Sequence, residues 1–399
     1  MTRILQWSVK TVCATLVFLG CQDAVGLDQV EPSVAESVVV TLPDTASGGA
    51  VLVIDPATGR VVRRPAVAGL ALSLAVSDDH RTAYVGTLRS GFRYEISVVD
   101  LAAGVELARI PESLNGVPTE ANGIGLLTSD VFGLSTSTNT LVTWRAIRDG
   151  VVGIAAVARD TYQPVAFSGP WNVADIGQGS ISTSGSRARS ALLLLASRTN
   201  ASGGPLRTTS LFMLDPVTLM PFDSISPSVL GASGSEQLWQ VVPAPDGASL
   251  YLAGSTHIVR YDLVTRRVLA QIARPATGAL ALSRDGQRVL ITDVGTWPDS
   301  PGSGLLYVFD ALLQALGTID VSTPLGGVPR SPTATVTGLA ASSADGRTMY
   351  VSAGSEMVGP LFPPQRARLL VVDLRDLSLK KEVTLPGYGR GRVALGPTF

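Results

Sequence analysis

Oxygen and amide side chains carry whatever chemistry this sequence offers. Glu120, Asn122, Gln178, Glu236, Gln237, Tyr388 and Arg390, with Thr337 beside them, fall just ahead of one recurring, mostly glycine position, so a repeated fold would gather them at one level. Two glutamates and an asparagine would suit calcium, which takes oxygen ligands, and paired carboxylates would suit hydrolysis. Zinc chemistry has no basis here, because it needs several His or Cys at ligand spacing and the chain holds only His80, His257, Cys13 and Cys21. There is no Gly-x-Ser-x-Gly elbow and no glycine-rich phosphate loop ending in Lys-Ser or Lys-Thr. The seven residues therefore stand as a candidate ligand-binding level with no catalytic residue, metal or cofactor assigned. The plain alternative is a wet polar rim without a specific ligand.

The elements that would position them are short strands. One phrase is an apolar run ending in Asp: VLVID at 51–55, ISVVD at 96–100, LFMLD at 211–215, IVRYD at 258–262, LYVFD at 306–310 and LLVVD at 369–373. The other is a turn between two apolar runs, as in LSRDGQRVLITD at 282–293, and it returns from 74, 180, 242 and 342. Asp at the start of a turn can accept from its own backbone two residues on, and Asp-Gly permits the positive φ of a tight hairpin. These aspartates are accordingly structural, and His80 replaces the Gly of one such turn. Runs of Val, Leu, Ile and Tyr bounded by Gly, Pro and Asp are strands with almost no helical period.

Asp55, Asp100 and a strand end near Arg145 lie 45 residues apart, and Asp215, Asp262 and Asp310 follow at 47 and 48. Four-stranded units at this period, with strands A to D, predict an all-β, seven-bladed β-propeller. SVVVTL at 37–42 lacks a preceding A strand and GRVALGPTF at 391–399 is left over, so the N-terminal and C-terminal strands are expected to close one blade together as velcro. Aligning the A strands on Ser283 puts Gly123, Gly179, Gly278, Gly338 and Gly391 at one register, with Leu72 and Trp239 in the other two blades. VLVIDPATGRVVRRPAVAG followed by LAVSDDHRTAYVGT resembles the YVTN-type propeller repeat of surface-layer and lactonase-like proteins, although the terminal Asn of that repeat is replaced in Tyr84–Thr87 and Tyr350–Ala353. The resemblance implies a propeller over 37–399 and keeps a lactonase-like hydrolase open as an alternative.

Long irregular segments fall almost wholly in the B–C and D–A connections, at 198–209, 294–304, 322–334 and 353–367. Irregular loops on one side of a rigid scaffold are where binding usually resides. Drift of tolerated insertions would give the same asymmetry.

The N-terminus points to the cell envelope. Arg3 and Lys10 precede an apolar run from Val12 to Gly20, too short to span a bilayer, and Phe18-Leu19-Gly20-Cys21 resembles a bacterial lipobox. An ordinary secretory signal is the alternative. The expected organisation is a signal peptide at 1–20, lipidation at Cys21, an acidic tether at 21–36 and the propeller at 37–399, facing the periplasm or exterior. A formal net charge of −1 argues against a nucleic-acid partner. A monomer binding a protein, peptide or glycan is expected, attached to the membrane through its lipid anchor. Cys21→Ser should move the protein from the membrane pellet to the soluble fraction, and a mutant that still sediments in high salt rules the lipid out.

Overall fold

The computed structural model describes residues 36–42, 49–89, 93–111, 132–135, 139–148, 151–181, 189–197, 210–226, 238–254, 256–275, 278–293, 295–296, 300–301, 303–322, 337–354, 366–388 and 391–399. They form a seven-bladed β-propeller, and no helix occurs among the described residues. Blade 1 has the order β29 (Val393–Gly396), β1 (Ser37–Leu42), β2 (Ala50–Asp55), β3 (Arg60–Arg63), so the last strand of the chain pairs with the first, Val38 opposite Leu395. Blade 2 is β4 (Leu70–Val76), β5 (Thr82–Arg89), β6 (Arg93–Asp100) and β7 (Val105–Ile110). Blades 3 and 4 share one sheet of β8 (Phe132–Ser135), β9 (Thr140–Arg148), β10 (Val151–Ala158), β11 (Pro164–Ile181), β12 (Arg189–Ser197), β13 (Ser210–Leu214) and β14 (Pro221–Ile225). Here β11 is the outer strand of blade 3 in its first half and the inner strand of blade 4 in its second.

Blade 5 is β15 (Leu238–Pro243), β16 (Ser249–Gly254), β17 (His257–Asp262) and β18 (Arg267–Ala273). Blade 6 is β19 (Leu280–Leu282), β20 (Arg288–Ile291), β23 (Leu305–Asp310) and β24 (Ala315–Asp320), with the ribbon β21 (Gly295–Thr296) and β22 (Ser300–Pro301) between β20 and β23. Blade 7 is β25 (Thr337–Ser342), β26 (Thr348–Ala353), β27 (Arg366–Asp373) and β28 (Ser378–Tyr388). The inner strands touch in the cyclic order β29, β4, β8, β11, β15, β19, β25.

One expectation is corrected. Arg145 does not end a C strand; it lies inside the B strand β9, opposite Gly153, and the C strand of blade 3 is β10. The landmark is missing because Ala158 occupies the position held elsewhere by Asp. The turn still closes there, with the Tyr162 N–H donating to the Ala158 carbonyl at 2.9 Å.

The aspartates do the turn work expected of them. Asp262 Oδ1 accepts the N–H groups of Val264 and Thr265 at 2.8 and 2.7 Å, and Asp373 Oδ1 accepts those of Arg375 and Asp376 at 2.8 and 3.0 Å. In the A–B turns Ser77, Ser283 and Ser343 donate to Asp79, Asp285 and Asp345 at 2.5, 2.5 and 2.6 Å, while each serine oxygen accepts a backbone N–H from the start of the next strand. These hydroxyls hold the Asp79 and Asp345 carboxyls below the usual range. His80 takes the left-handed place of Gly247, Gly286 and Gly346, with φ 57.

The core lies between blades, and the B strands carry most of it. Leu192 and Leu194 pack toward blade 3 while Leu193 and Leu195 pack toward blade 5, all essentially unexposed. Alternate side chains point to opposite faces of a strand, so one apolar run serves two interfaces. At the third residue of β5, β16 and β26 stands a buried tyrosine that faces the following blade: Tyr84, Tyr251 and Tyr350. Tyr251 Oη donates to the Ala311 carbonyl at 2.7 Å, and Tyr84 Oη accepts from Arg159 Nε at 2.8 Å. Arg260 of blade 5 stacks over the Tyr251 ring at 5.6 Å and donates to the same Ala311 carbonyl at 2.9 Å.

Tyr251→Phe should cost only about 1 kcal/mol, because Arg260 keeps the Ala311 carbonyl bonded. Tyr251→Ala should cost about 3–5 kcal/mol through lost packing. Urea unfolding of the protein separates the two, and equal costs would show that the hydroxyl rather than the ring joins the blades.

Candidate functional site

Antiparallel pairing sorts each blade's connections to two ends. Thr82 lies opposite Asp100 and Thr348 opposite Asp373, so the A–B and C–D turns share one end, and the B–C and D–A connections share the other. At the first end the carboxylates described above are occupied in closing their own turns. The candidate level lies at the second end, where the inner strands begin.

The start of the inner strands has a common irregularity. Register slips between Ala71 and Ser73, between Val173 and Asp175, between Leu238 and Gln240, and between Thr337 and Ala340. Each slip is a bulge that leaves a residue unpaired and re-aims its neighbours. Leu72, Trp239 and Gly338 sit at these slips, and Gly278 and Gly391 occupy the corresponding places in blades 6 and 1. A Cβ on Gly278 would collide with the Thr292 carbonyl, and one on Gly391 with the Thr41 carbonyl. Close backbone approach therefore requires glycine there. In blade 4 the slip falls at Ala174, and Gly179 lies further along the strand, opposite Ala191.

The next residue along bridges to the following blade. Gln240 donates to the Leu280 carbonyl at 2.9 Å and accepts the Leu280 N–H at 2.7 Å, satisfying the open inner edge of blade 6. Arg392, in the same place in blade 1, donates through Nε to the Leu72 carbonyl of blade 2 at 3.4 Å, and its own N–H donates to Thr41 Oγ1 at 2.8 Å. Burial pulls the Arg392 guanidinium down to about 10, so it stays cationic at neutral pH. Arg274, at the end of blade 5, donates to the carbonyls of Gly254 and Gly278 at 2.6 and 2.7 Å, and burial lowers it too. Asp293 accepts from the Ser303 N–H and hydroxyl at 2.6 and 2.5 Å, which ties the long connection of blade 6 to its B strand.

Of the residues singled out from the sequence, Gln178 lies within β11 opposite Leu192, inside the strand rather than ahead of its slip. Thr337 opens β25 opposite Ala353, and Tyr388 ends β28 opposite Arg366. Glu120, Asn122, Glu236, Gln237, Arg390 and the lipidation residue Cys21 lie outside the described residues. His257 lies in β17 with Nδ1 2.7 Å from Thr256 Oγ1. Among the described residues no group of three or more His, Cys, Asp or Glu could hold a metal. The sequence reading passed over Gln240, Arg274 and Arg392, whose only signal is their place one step beyond, or just before, the glycine register. All three direct donors to backbone carbonyls of neighbouring strands, so what they do at this level is hold the inner rim together.

No protein-family model and no curated protein matches this chain. Solved structures do. The chain is similar to a functionally unknown protein of Desulfotomaculum acetoxidans at 13% identity and TM-score 0.56, covering 89% of this chain and 98% of that one. It is similar to a periplasmic gluconolactonase of Pseudomonas aeruginosa at 14% identity and TM-score 0.55, covering 90% and 98%. It also resembles AztD of Citrobacter koseri at 12% identity and TM-score 0.51, covering 92% and 99%. At such identities the likeness is one of fold alone, the β-propeller.

Gly278→Ala should destabilise the protein by about 1–3 kcal/mol, the usual cost of overpacking. The same change at Gly104, where a Cβ would meet only the Arg63 side chain at 3.3 Å, should cost about 1 kcal/mol, from its left-handed backbone alone. Thermal melts of the two variants test whether the inner rim is held by backbone contact.

Proposed function

We propose that the protein is an extracytoplasmic, lipid-anchored propeller that binds a protein, peptide or glycan through the end carrying its long B–C and D–A connections. The observation that carries this reading is the division of labour between the two ends. At the turn end Asp55, Asp100, Asp215, Asp262, Asp310 and Asp373 all accept hydrogen bonds from their own turns, which leaves those carboxylates no part in recognition. The opposite end carries the long B–C and D–A connections at 198–209, 294–304, 322–334 and 353–367. Rigid scaffolds place their recognition loops in this manner. The lipobox-like Phe18–Cys21 and the similarity to a periplasmic protein support the location.

A second reading, a lactonase-like hydrolase using Glu120 and Glu236 with calcium, is favoured by the likeness to a gluconolactonase. It is the weaker one, since Glu120 and Glu236 lie outside the described residues and the carboxylate described at this end, Asp293, is bonded to Ser303.

Two measurements decide between them. Replacing residues 198–209 by a short Gly-Ser linker should abolish capture on a glycan array or a displayed peptide library while leaving the melting temperature unchanged. Calcium should not raise the melting temperature, and gluconolactone should not be hydrolysed. A calcium-dependent rise of several degrees together with lactone hydrolysis, both lost in Glu120→Gln/Glu236→Gln, makes the protein an enzyme. Array binding that survives the loop replacement shows that this segment is not the recognition surface.

A further inference from the structure

The turn end of the propeller carries an apolar arc. The second residue after the turn aspartate is Val217 in blade 4, Val264 in blade 5 and Leu312 in blade 6, exposed by 60%, 40% and 51%. Met220 adds a fourth side chain at 62%. Blades 1, 2, 3 and 7 hold Ala57, Ala102, Asp160 and Arg375 at the same place, so at this turn position the large apolar residues fall in blades 4 to 6; at the place of Met220, blade 2 exposes Val105 by 49%. None is needed by the turn, whose hydrogen bonds are made by backbone and by Asp. Exposed apolar residues clustered on one surface mark an interaction site.

The chain itself indicates what covers them. β1 is a B strand, and B strands begin at the turn end. Glu36, one residue before it, accepts the N–H of Ala344 at 3.0 Å, and Ala344 belongs to the A–B turn of blade 7. The chain therefore enters the ring at the same end as the arc. Residues 22–35, fourteen in number, lie between Cys21 and this point. Fully extended they span at most about 50 Å, and presenting the other end to the bilayer would require them to run around the edge of the ring. The same end also exposes arginines that suit phosphate headgroups, Arg81, Arg284 and Arg347 in the A–B turns of blades 2, 6 and 7 and Arg375 in the C–D turn of blade 7.

We infer that the turn end is a membrane-facing surface: with Cys21 acylated, Val217, Met220, Val264 and Leu312 rest on the lipid surface and the long connections point away from it. This rests on the lipid-anchored reading. An anchor alone leaves the domain free to tumble; apolar side chains entering the headgroup region fix its orientation.

The acylated full chain has no thiol beyond Cys21 once the segment holding Cys13 is removed. Single cysteines can therefore report position. Val264→Cys, Leu312→Cys and, at the opposite end, the exposed Thr256→Cys would each be labelled with bimane. The labelled proteins are reconstituted in phosphatidylethanolamine/phosphatidylglycerol vesicles with brominated acyl chains. Fluorescence should be lost at 264 and 312 and kept at 256. Protein that floats with the vesicles but is quenched equally at all three positions, or only at 256, overturns the orientation. Protein that fails to float overturns the anchor and the orientation with it. Disulfide cross-linking between two copies at position 264 in detergent would assign the arc to self-association instead.

Discussion

Every blade depends on a strand that is buried on both sides. A B strand such as ALLLLA at 191–196 touches neither end of the molecule nor solvent; its alternate leucines fill the interfaces to the blade before and the blade after. Burying a leucine contributes about 1.5–3 kcal/mol, but only if both neighbours are present. No blade can bury this strand alone, so the ring is stable as a ring or not at all. The tyrosines Tyr84, Tyr251 and Tyr350 sharpen the dependence, because each sends a polar tip across an interface that is otherwise apolar. A buried hydroxyl needs a partner, and the partner is at the edge of the next blade: Arg159 for Tyr84 and the Ala311 carbonyl for Tyr251. For Tyr350, burial raises the phenol, with Glu36 of blade 1 adding to the effect.

The turns show a related trade. All seven C–D turns place one residue in the left-handed region, and only Gly59 and Gly104 are glycines; Tyr162, Leu219, Arg266, Leu313 and Leu377 adopt φ from 50 to 59. That conformation costs roughly 1–2 kcal/mol without glycine. Leu219 and Leu313 are essentially buried, at 0% and 2% exposure, so burial of the side chain outweighs the strain of its backbone. Local preference yields to packing at these positions.

The architecture was legible in the sequence because its turns repeat a polar atom at a fixed place. Where Asp stands at the end of a C strand, its carboxylate must accept nearby N–H groups, and the strand end can be read directly. Blade 3 escaped because Ala158 stands there and backbone geometry alone closes the turn. Blade 4 was misregistered because Gly179 looked like the inner-rim glycine, whereas the slip falls at Ala174, a residue with no conformational signature. The candidate site was less legible for a deeper reason. Turn chemistry repeats an aspartate in six blades, while the bridge to the next blade's backbone is made by different residue types, Gln240 in blade 5 and Arg392 in blade 1. A shared position filled by unlike side chains leaves no pattern to read in the sequence.

Pairing between the chain ends sets where the chain enters the ring. Because β29 supplies the inner strand of blade 1, the chain enters the ring as a B strand, and an antiparallel blade lets a B strand begin only where the A–B and C–D turns lie. Glu36, the residue before β1, accordingly lies at the end whose aspartates close their own turns. The same pairing places the B–C connections and the starts of the inner strands at the far end. A chain that instead began with an A strand would enter the ring at the far end. Strand order in one blade thus decides at which end the ring is entered.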